Sequence, residues 1–338
     1  MSVSTGDAVL PPGFRFRAPT MDDLPGVVAV WRAEEAAIDG KATTTETEIR
    51  MYWNDPDRNL AEENRVVVDE DDRIVAVLDT YDFPPYTVAE FNPAVHPDFC
   101  GRGIGSALLA QVEAYILERI ERVQGPRLAL HSQVSSRHER AHALLQRHGF
   151  SHIRNWRKME IDLDADAPPV TPPEGLRLAS LRQGVDERAI WEAAEEAWQD
   201  HFGYAPMGFE EFIYYRVTAI EDFHPDLWIV AWDENTDEIA GVSLCRRDTA
   251  DDSDMGWVSL LAVRRPWRGR GLGSALLQAS FAMFREQGWT RAGLAVDASS
   301  ITGADRLYER AGMHEVRCDY IFEKVLREGP DAEAAAVG

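Results

Sequence analysis

The residues best suited to chemistry lie in two glycine-rich runs of nearly the same sequence. Cys100-Gly-Arg-Gly-Ile-Gly-Ser-Ala-Leu-Leu109 returns as Arg268-Gly-Arg-Gly-Leu-Gly-Ser-Ala-Leu-Leu277, 168 residues further along the chain. Glycines let the backbone approach an anion closely, and the free N–H groups at a helix start favour negative charge. Both runs are therefore expected to bind phosphate groups. Their separation is the length of a whole domain and is too long for a solenoid repeat.

The same kinds of element surround both runs. Apolar segments that predict strands precede them at 87–95 and 256–263, and amphipathic segments that predict helices follow at 104–120 and 272–287. A dinucleotide-binding domain carries its glycine turn after the first strand. Here the turn follows the fourth predicted strand of each half, so the sequence predicts a different α/β or α+β sheet.

Composition narrows the class of protein. The chain has 338 residues, enough for two domains, and a formal net charge of −23. Nucleic-acid binders usually show a basic footprint, so we expect no nucleic-acid partner. Three cysteines without paired spacing favour a reducing compartment. No apolar run approaches the roughly 20 residues of a membrane span, and the first residues do not resemble a signal peptide. We expect a cytoplasmic monomer or homodimer that does not contact a membrane.

A proline-rich acidic segment at 164–175 is the predicted linker between two domains. An N-terminal domain is expected at 13–163 and a C-terminal domain at 176–328, each ending in a predicted strand, at 151–163 and 314–326. Residues 1–12 are expected to be disordered, and 329–338 to form a tail.

This order of elements resembles the GNAT superfamily of N-acetyltransferases over nearly the whole chain. The superfamily's acyl-CoA signature is Arg/Gln-x-x-Gly-x-Gly/Ala, which the run at 268–273 matches in full, whereas Cys100 departs from it in the first run. The second half also carries Leu307-Tyr-Glu-Arg-Ala-Gly-Met313, a typical late block of these enzymes. The resemblance implies two tandem GNAT-type domains, each a mixed, mainly antiparallel sheet flanked by helices. The layout is similar to that of a two-domain group whose C-terminal half does the chemistry.

The resemblance implies acetyl-CoA as the acyl donor. The residues expected to bind it in the second half are Leu261, Ala262, Val263, Arg268, Gly269, Arg270, Gly271, Leu272, Gly273, Ser274 and Ser300, the last standing where the family has Asn. Their counterparts in the first half are Val95, Gly101, Arg102, Gly103, Ile104, Gly105 and Ser106. A backbone N–H near Leu261 would polarise the thioester carbonyl.

Tyr308 is the expected general acid, since a tyrosine at this place protonates the leaving thiolate in the family. The alternative is an aromatic wedge on a packed helix. Leu145 occupies the equivalent place in the first half, so the N-terminal domain is expected to be a degenerate copy. The candidate bases are Asp254, just before the fourth strand of the second half, and Glu90, on that strand in the first. Glu90 could equally lie on a solvated face.

The expected reaction is transfer of an acetyl group to a primary amine of a small molecule by direct attack. An amino-sugar thiol precursor or an aminoglycoside-like amine is favoured over a peptide or protein amine. The aromatic and acidic segment 198–215 would line the acceptor side or fill the core of two short helices. His201 is expected to be structural, and no metal site is expected. A non-catalytic acyl-CoA sensor is the alternative class.

Overall fold

The structure, a computed structural model, describes residues 9–163, 170–202, 204–220, 223–247, 254–298 and 304–329. Contacts within the chain divide it into two compact units. Unit 1 comprises Met1–Asn155 with Asp319–Gly338, and unit 2 comprises Trp156–Cys318.

The first half of the chain contains, in order, β1 (Arg15–Arg17), α1 (Leu24–Asp39), α2 (Glu46–Trp53), α3 (Leu60–Glu63), β2 (Arg65–Val68), β3 (Ile74–Asp82), β4 (Val88–Val95), α4 (Ile104–Glu118), β5 (Leu128–Ser135), α5 (Glu139–Arg147) and β6 (Ser151–Asp162). The second half contains β7 (Leu176–Ser180), α6 (Glu187–Trp198), α7 (Phe209–Ile213), β8 (Trp228–Asp233), β9 (Ile239–Arg247), β10 (Met255–Val263), α8 (Leu272–Glu286), β11 (Arg291–Asp297), α9 (Ala304–Arg310) and β12 (His314–Arg327).

The sheet of unit 2 has the order β6-β11-β10-β9-β8-β7. Its neighbours pair antiparallel except β10 and β11, which are parallel. The side chains of β9 are buried over Ile239–Cys245, because helices cover both faces of this strand. Ile190 of α6 packs on one face, and Leu276 of α8 packs on the other. The predicted fold class, a mixed and mainly antiparallel sheet flanked by helices, is confirmed.

The sheet of unit 1 has the matching order β1-β2-β3-β4-β5-β12, with a parallel pair at β4 and β5. Alternation along β3 sends Val77 towards α1, where it packs with Leu24. Leu78 points to the opposite face and packs with Leu108 of α4. The sequence did not predict α2 and α3, since both are short and mostly polar; α2 begins after Thr45, whose side chain accepts the Glu48 N–H.

Each sheet takes its last strand from the other half of the sequence. Residues 319–327 of β12 pair antiparallel with β5, from Asp319 opposite Ser135 to Arg327 opposite Leu128. Residues 156–162 of β6 pair with β11 in unit 2. The sequence predicts both strands correctly but assigns each to the half that precedes it. Hydrophobic alternation identifies a strand without identifying its partner.

The parallel strands of unit 2 separate partway along. Pairing between β10 and β11 runs from Met255 opposite Arg291 to Val258 opposite Leu294, and both strands continue beyond it. A β-bulge lies at the point of separation, because Val258 faces Cys245 of β9 whereas Leu260 faces the adjacent Leu244. Ser259 is the extra residue, and a bulge of this kind bends the strand. The separation opens a cleft beside residues 259–263.

In the part of the chain that the structure describes, no helix combines the length and the apolar character that crossing a bilayer would require.

Candidate active site

The glycine turn of unit 2 is shaped to receive an anion. Gly269 and Gly271 have φ of +73° and +83°, a left-handed conformation that other residues adopt at a cost. Among the residues that the structure describes, none would lie within 4 Å of a Cβ added at either glycine. Helix α8 starts directly after Gly271, so the free N–H groups of its first turn border the same space. The turn therefore leaves room for a phosphate group beside backbone donors.

The last residues of β10 present backbone groups to the cleft. The N–H of Arg264 donates to Ala240 O of the neighbouring strand at 3.0 Å, so residues 260, 262 and 264 direct their N–H groups towards β9. By alternation, Leu261 and Val263 direct theirs to the opposite side. Arg268 Nε donates to Val263 O at 2.9 Å on that side, which agrees with this assignment. The cleft thus has an edge that can pair with an extended ligand.

A cavity of about 900 Å³ joins the turn, the strand edge and helix α9 within unit 2. Four tryptophans line it, Trp156, Trp198, Trp257 and Trp267, and its polar lining includes His201 and Asp297. The predicted donor-binding residues that line it are Leu261, Ala262, Val263, Arg268, Gly269, Gly271, Leu272, Gly273 and Ser274.

Tyr308 lines this cavity from α9 and is 7% exposed. Burial raises the pKa of its phenol to about 12, so the hydroxyl stays protonated at neutral pH. Among the described residues its hydroxyl has no hydrogen-bond partner. A protonated hydroxyl in an apolar wall can donate to a group that becomes negative beside it.

Asp200 holds two arginines at the turn. Its carboxylate accepts from Arg265 Nη2 and Arg268 Nη1, each at 2.5 Å. These hydrogen bonds lower the pKa of Asp200 to about 2. The carboxylate therefore remains ionised at any working pH, and the stability it contributes is lost only as the pH falls towards that value. Phosphate oxygens entering the turn would compete with Asp200 for the same guanidinium groups.

Asp200→Asn is expected to tighten acetyl-CoA binding by roughly three- to tenfold at low salt, because it frees both arginines, and by less at high salt. Calorimetric titration at two ionic strengths would measure this. Asp237→Asn, which removes an exposed carboxylate paired with Arg177 away from the cavity, has the same charge change and should leave affinity unaltered. Weaker binding in Asp200→Asn would mean that Asp200 instead positions the arginines.

His201 stacks on Trp198, with ring centroids 4.8 Å apart and planes 25° from parallel. Burial lowers the pKa of its imidazole, and the positive charge of Arg268 lowers it further. The ring is therefore neutral at pH 7 and can accept a proton. The sequence indicated a structural role for His201; the structure places it in the wall of the cavity.

Several predicted residues lie elsewhere. Asp254 precedes β10 at the end remote from Leu261, accepts hydrogen bonds from Thr290 and Arg291, and does not line the cavity. Glu90 lies on β4 of unit 1 with an exposed side chain. Arg270 donates to Glu174 O at 3.3 Å outside the cavity lining. Ser300 lies outside the described residues.

Of the segment 198–215, the cavity wall includes Trp198, Asp200 and His201. Other members pack within unit 2: Phe209 contacts the Trp191 ring, and the Tyr204 hydroxyl donates to Glu195 at 2.8 Å. The prediction that these side chains fill the core therefore describes only the later part of the segment. In this part of the segment α7 is followed by a π-helical turn, Tyr214–Thr218.

Sequence reasoning did not identify Asp297, Trp156 and Trp257 as site residues. Asp297 ends β11, and Trp156 faces it across the β6–β11 pair. The available signal was the position of Asp297 at the carboxyl end of a strand parallel to β10, where sites of such sheets form. No group of three or more His, Cys, Asp and Glu side chains within the described ranges is arranged to hold a metal ion.

Comparison with known proteins agrees with this geometry. The sequence model of the Acetyltransferase (GNAT) family matches residues 29–150 and 188–313. A mycothiol acetyltransferase of Acidothermus cellulolyticus is 29% identical over 270 residues, covering 76% of this chain and 78% of the relative. The mycothiol acetyltransferase of Salinispora arenicola is 30% identical over 221 residues, covering 65% and 67%.

Solved structures give the same result. A GCN5-related N-acetyltransferase from Sphaerobacter thermophilus superposes with a TM-score of 0.80 at 32% identity, covering 96% of this chain and 99% of that one. A tandem GNAT protein from the clavulanic acid biosynthesis pathway superposes with a TM-score of 0.66 at 19% identity, covering 94% and 99%, which supports the fold. Two matched segments, each containing a glycine turn between a strand and a helix, show that the chain belongs to the GNAT acetyltransferase family as a tandem member and is an acyltransferase.

Proposed function

We propose that unit 2 transfers an acetyl group from acetyl-CoA to a primary amine of a small molecule. The observation that carries the proposal is the meeting, in one cavity, of the open glycine turn, the strand edge at Leu261 and the hydroxyl of Tyr308, which has no hydrogen-bond partner among the described residues. These three features correspond to the pyrophosphate, the pantetheine arm and the leaving sulfur of acetyl-CoA. The sparse free cysteines support a reducing, cytoplasmic setting.

The residues present fit coenzyme A. The Gly269–Gly271 turn and the first turn of α8 would hold the pyrophosphate, and Arg265 lies at the mouth to meet a further phosphate. The N–H of Val263 would pair with an amide carbonyl of the pantetheine arm, which leaves the N–H of Leu261 for the thioester carbonyl. When bound, acetyl-CoA supplies the activated acyl group and the thiolate leaving group.

Chain residues in the cavity can perform the proton transfers. The N–H of Leu261 is directed to stabilise an oxygen that gains negative charge. Tyr308 holds a proton on its hydroxyl and can release it to a thiolate. Neutral His201 can remove a proton from an ammonium group, and the carboxylate of Asp297 attracts that group to the cavity. Ser259 has a buried hydroxyl without a partner among the described residues, so it can bind a water or the acceptor.

The lining supports a compact polar amine as acceptor. Trp156, Trp198 and Trp257 offer flat faces, and Asp297 adds negative charge. Aromatic faces beside a carboxylate suit an amino sugar, in keeping with relatives named mycothiol acetyltransferases. An aminoglycoside-like amine satisfies the same requirements, and a peptide amine is the alternative.

The test is thiol release from acetyl-CoA by the purified chain against amino sugars, aminoglycosides, polyamines, amino acids and peptides. Turnover with an amino sugar or aminoglycoside supports the proposal. Turnover with peptides alone would replace the proposed acceptor class. Acetyl-CoA binding without turnover on any amine would instead favour a sensor.

His201→Gln is expected to lower kcat/KM by about 10²-fold, as for loss of a general base. Because burial lowers the His201 pKa below its ordinary 6.5, the wild-type rate should fall on the acid side of that value. The variant should lose this limb of the pH–rate profile. His314→Gln, at an exposed position, should retain both rate and limb. An unchanged limb in His201→Gln would remove His201 as the base.

A further inference from the structure

The glycine turn of unit 1 has the same backbone shape as that of unit 2. Gly101 and Gly103 have φ of +77° and +92°, and α4 starts directly after them. The parallel strands also separate, because β4 and β5 pair from Val88 to Glu90 and β4 continues to Val95. The turn alone would therefore suggest a second site for coenzyme A. Unit 1 differs from unit 2 in the strand edge beside the turn.

Strand β4 lacks the backbone donor that β10 offers at Leu261. Counting back from the two turns, Leu261 corresponds to Pro93, which has no N–H. The bulge is also missing: β4 pairs with β3 in unbroken register from Val95 opposite Ala76 to Ala89 opposite Asp82. Unit 1 therefore has neither the strand bend nor the amide that unit 2 directs into its cavity.

The second donor of this edge is already used. Val95 corresponds to Val263, and its N–H donates to Glu34 Oε1 of α1 at 3.0 Å. The Glu34 side chain is 16% exposed, and the same oxygen, Oε1, lies 3.7 Å from His138 Nε2. A carboxylate thus stands where the amide of a pantetheine arm would pair, and its negative charge opposes a phosphorylated ligand.

The turn is also covered in part. An added Cβ at Gly103 would lie 3.6 Å from Pro11 Cγ, whereas no described residue lies within 4 Å of a Cβ added at Gly101 or Gly271. Phe14 contacts the Phe99 ring at 6.0 Å, which fixes the segment that contains Pro11 beside the turn. Where unit 2 has Arg268, unit 1 has Cys100, whose thiol lies 3.7 Å from Val95 O and offers no positive charge.

We infer that unit 1 is an internally closed copy: Glu34 takes the place of the pantetheine arm, Pro11 lies against the glycine turn, and the chain binds a single coenzyme A, in unit 2. The inference rests on the proposed use of acetyl-CoA by unit 2. It assigns Glu34 a specific role as the group that closes the strand edge of unit 1.

The experiment counts binding sites on the full chain by isothermal titration with acetyl-CoA. The expected result is one equivalent per chain. Two equivalents would overturn the inference while leaving the proposed function intact. No binding would overturn the proposed function, and the inference with it.

A matched pair of variants locates the site. Gly271→Ala and Gly103→Ala introduce the same methyl group at the same left-handed position of the two turns. Gly271→Ala should weaken acetyl-CoA binding at least tenfold, and Gly103→Ala should leave affinity and stoichiometry unchanged, with thermal unfolding recorded for both. Loss of binding in a folded Gly103→Ala protein would overturn the inference. Glu34→Ala should still bind one equivalent, because Pro93 remains without an N–H; a second equivalent would overturn the role of Pro93 in closing unit 1.

Discussion

Tyr308→Phe is expected to lower kcat by about 10²–10⁴-fold, the usual contribution of a general acid, with little change in acetyl-CoA affinity. The substitution removes one oxygen that has no hydrogen-bond partner among the described residues, so the fold should be retained. Thiol release under saturating acceptor measures kcat, and calorimetry measures affinity. With its pKa near 12, the phenol should not produce a limb in the pH–rate profile below about pH 11.

Tyr115→Phe is the matched control for this substitution. Tyr115 is a buried tyrosine of α4 in unit 1 whose pKa is also raised to about 12, mainly by burial. Removal of the Tyr115 hydroxyl should leave the turnover rate kcat unaltered. If Tyr308→Phe retained full kcat, the leaving thiolate would have another proton source, and Tyr308 would be the aromatic wedge of the alternative interpretation.

Gly256→Ala is expected to lower the free energy of unfolding by about 2–3 kcal/mol, at the upper end of the cost of overpacking a core. A Cβ on Gly256 would lie 2.4 Å from the Phe284 ring, which is fully buried beneath β10. Neither the strand backbone nor the ring can move without displacing other core residues. Urea denaturation should show a lower midpoint, and activity should fall as well, because β10 carries Leu261 and the bulge at Ser259.

Gly208→Ala provides the comparison for stability. Gly208 is the N-cap of α7 with φ of −64°, and no described residue lies within 4 Å of an added Cβ, so alanine should cost no more than about 1 kcal/mol, through the less favourable cap alone. Equal midpoints for Gly256→Ala and wild type would show that the Phe284 ring rearranges at little cost.

The sequence was sufficient to predict the duplicated fold and many of the residues that line the cavity of unit 2. The glycine turns, the flanking strands and helices and the position of Tyr308 depend on local sequence, which a periodic pattern or a short motif records. The bulge at Ser259 could not be predicted, since it is defined by the register of β10 against β9.

The rest of the cavity wall, which we propose binds the acceptor, depends on contacts between distant parts of the chain. Trp156, Asp297 and His201 come from β6, the end of β11 and the segment after α6, and tertiary packing brings them to one cavity. Asp254 directly precedes β10 in sequence, which made it a candidate base. Because a strand rises about 3.3 Å per residue, Asp254 lies at the end of β10 remote from Leu261. The Glu34 to Val95 contact spans 61 residues and has no sequence signature.

The exchange of β6 and β12 between the two sheets has a consequence for biosynthesis. Residues 319–327 complete the sheet of unit 1, and they leave the ribosome after every element of unit 2. The edge of β5 therefore stays unpaired while unit 2 is being synthesised. Severing the chain within 164–175 would yield two fragments, each lacking its own final strand and carrying that of the other. Both sheets therefore need the whole chain for completion. A fragment that begins or ends at the proline-rich segment cannot form either sheet in full.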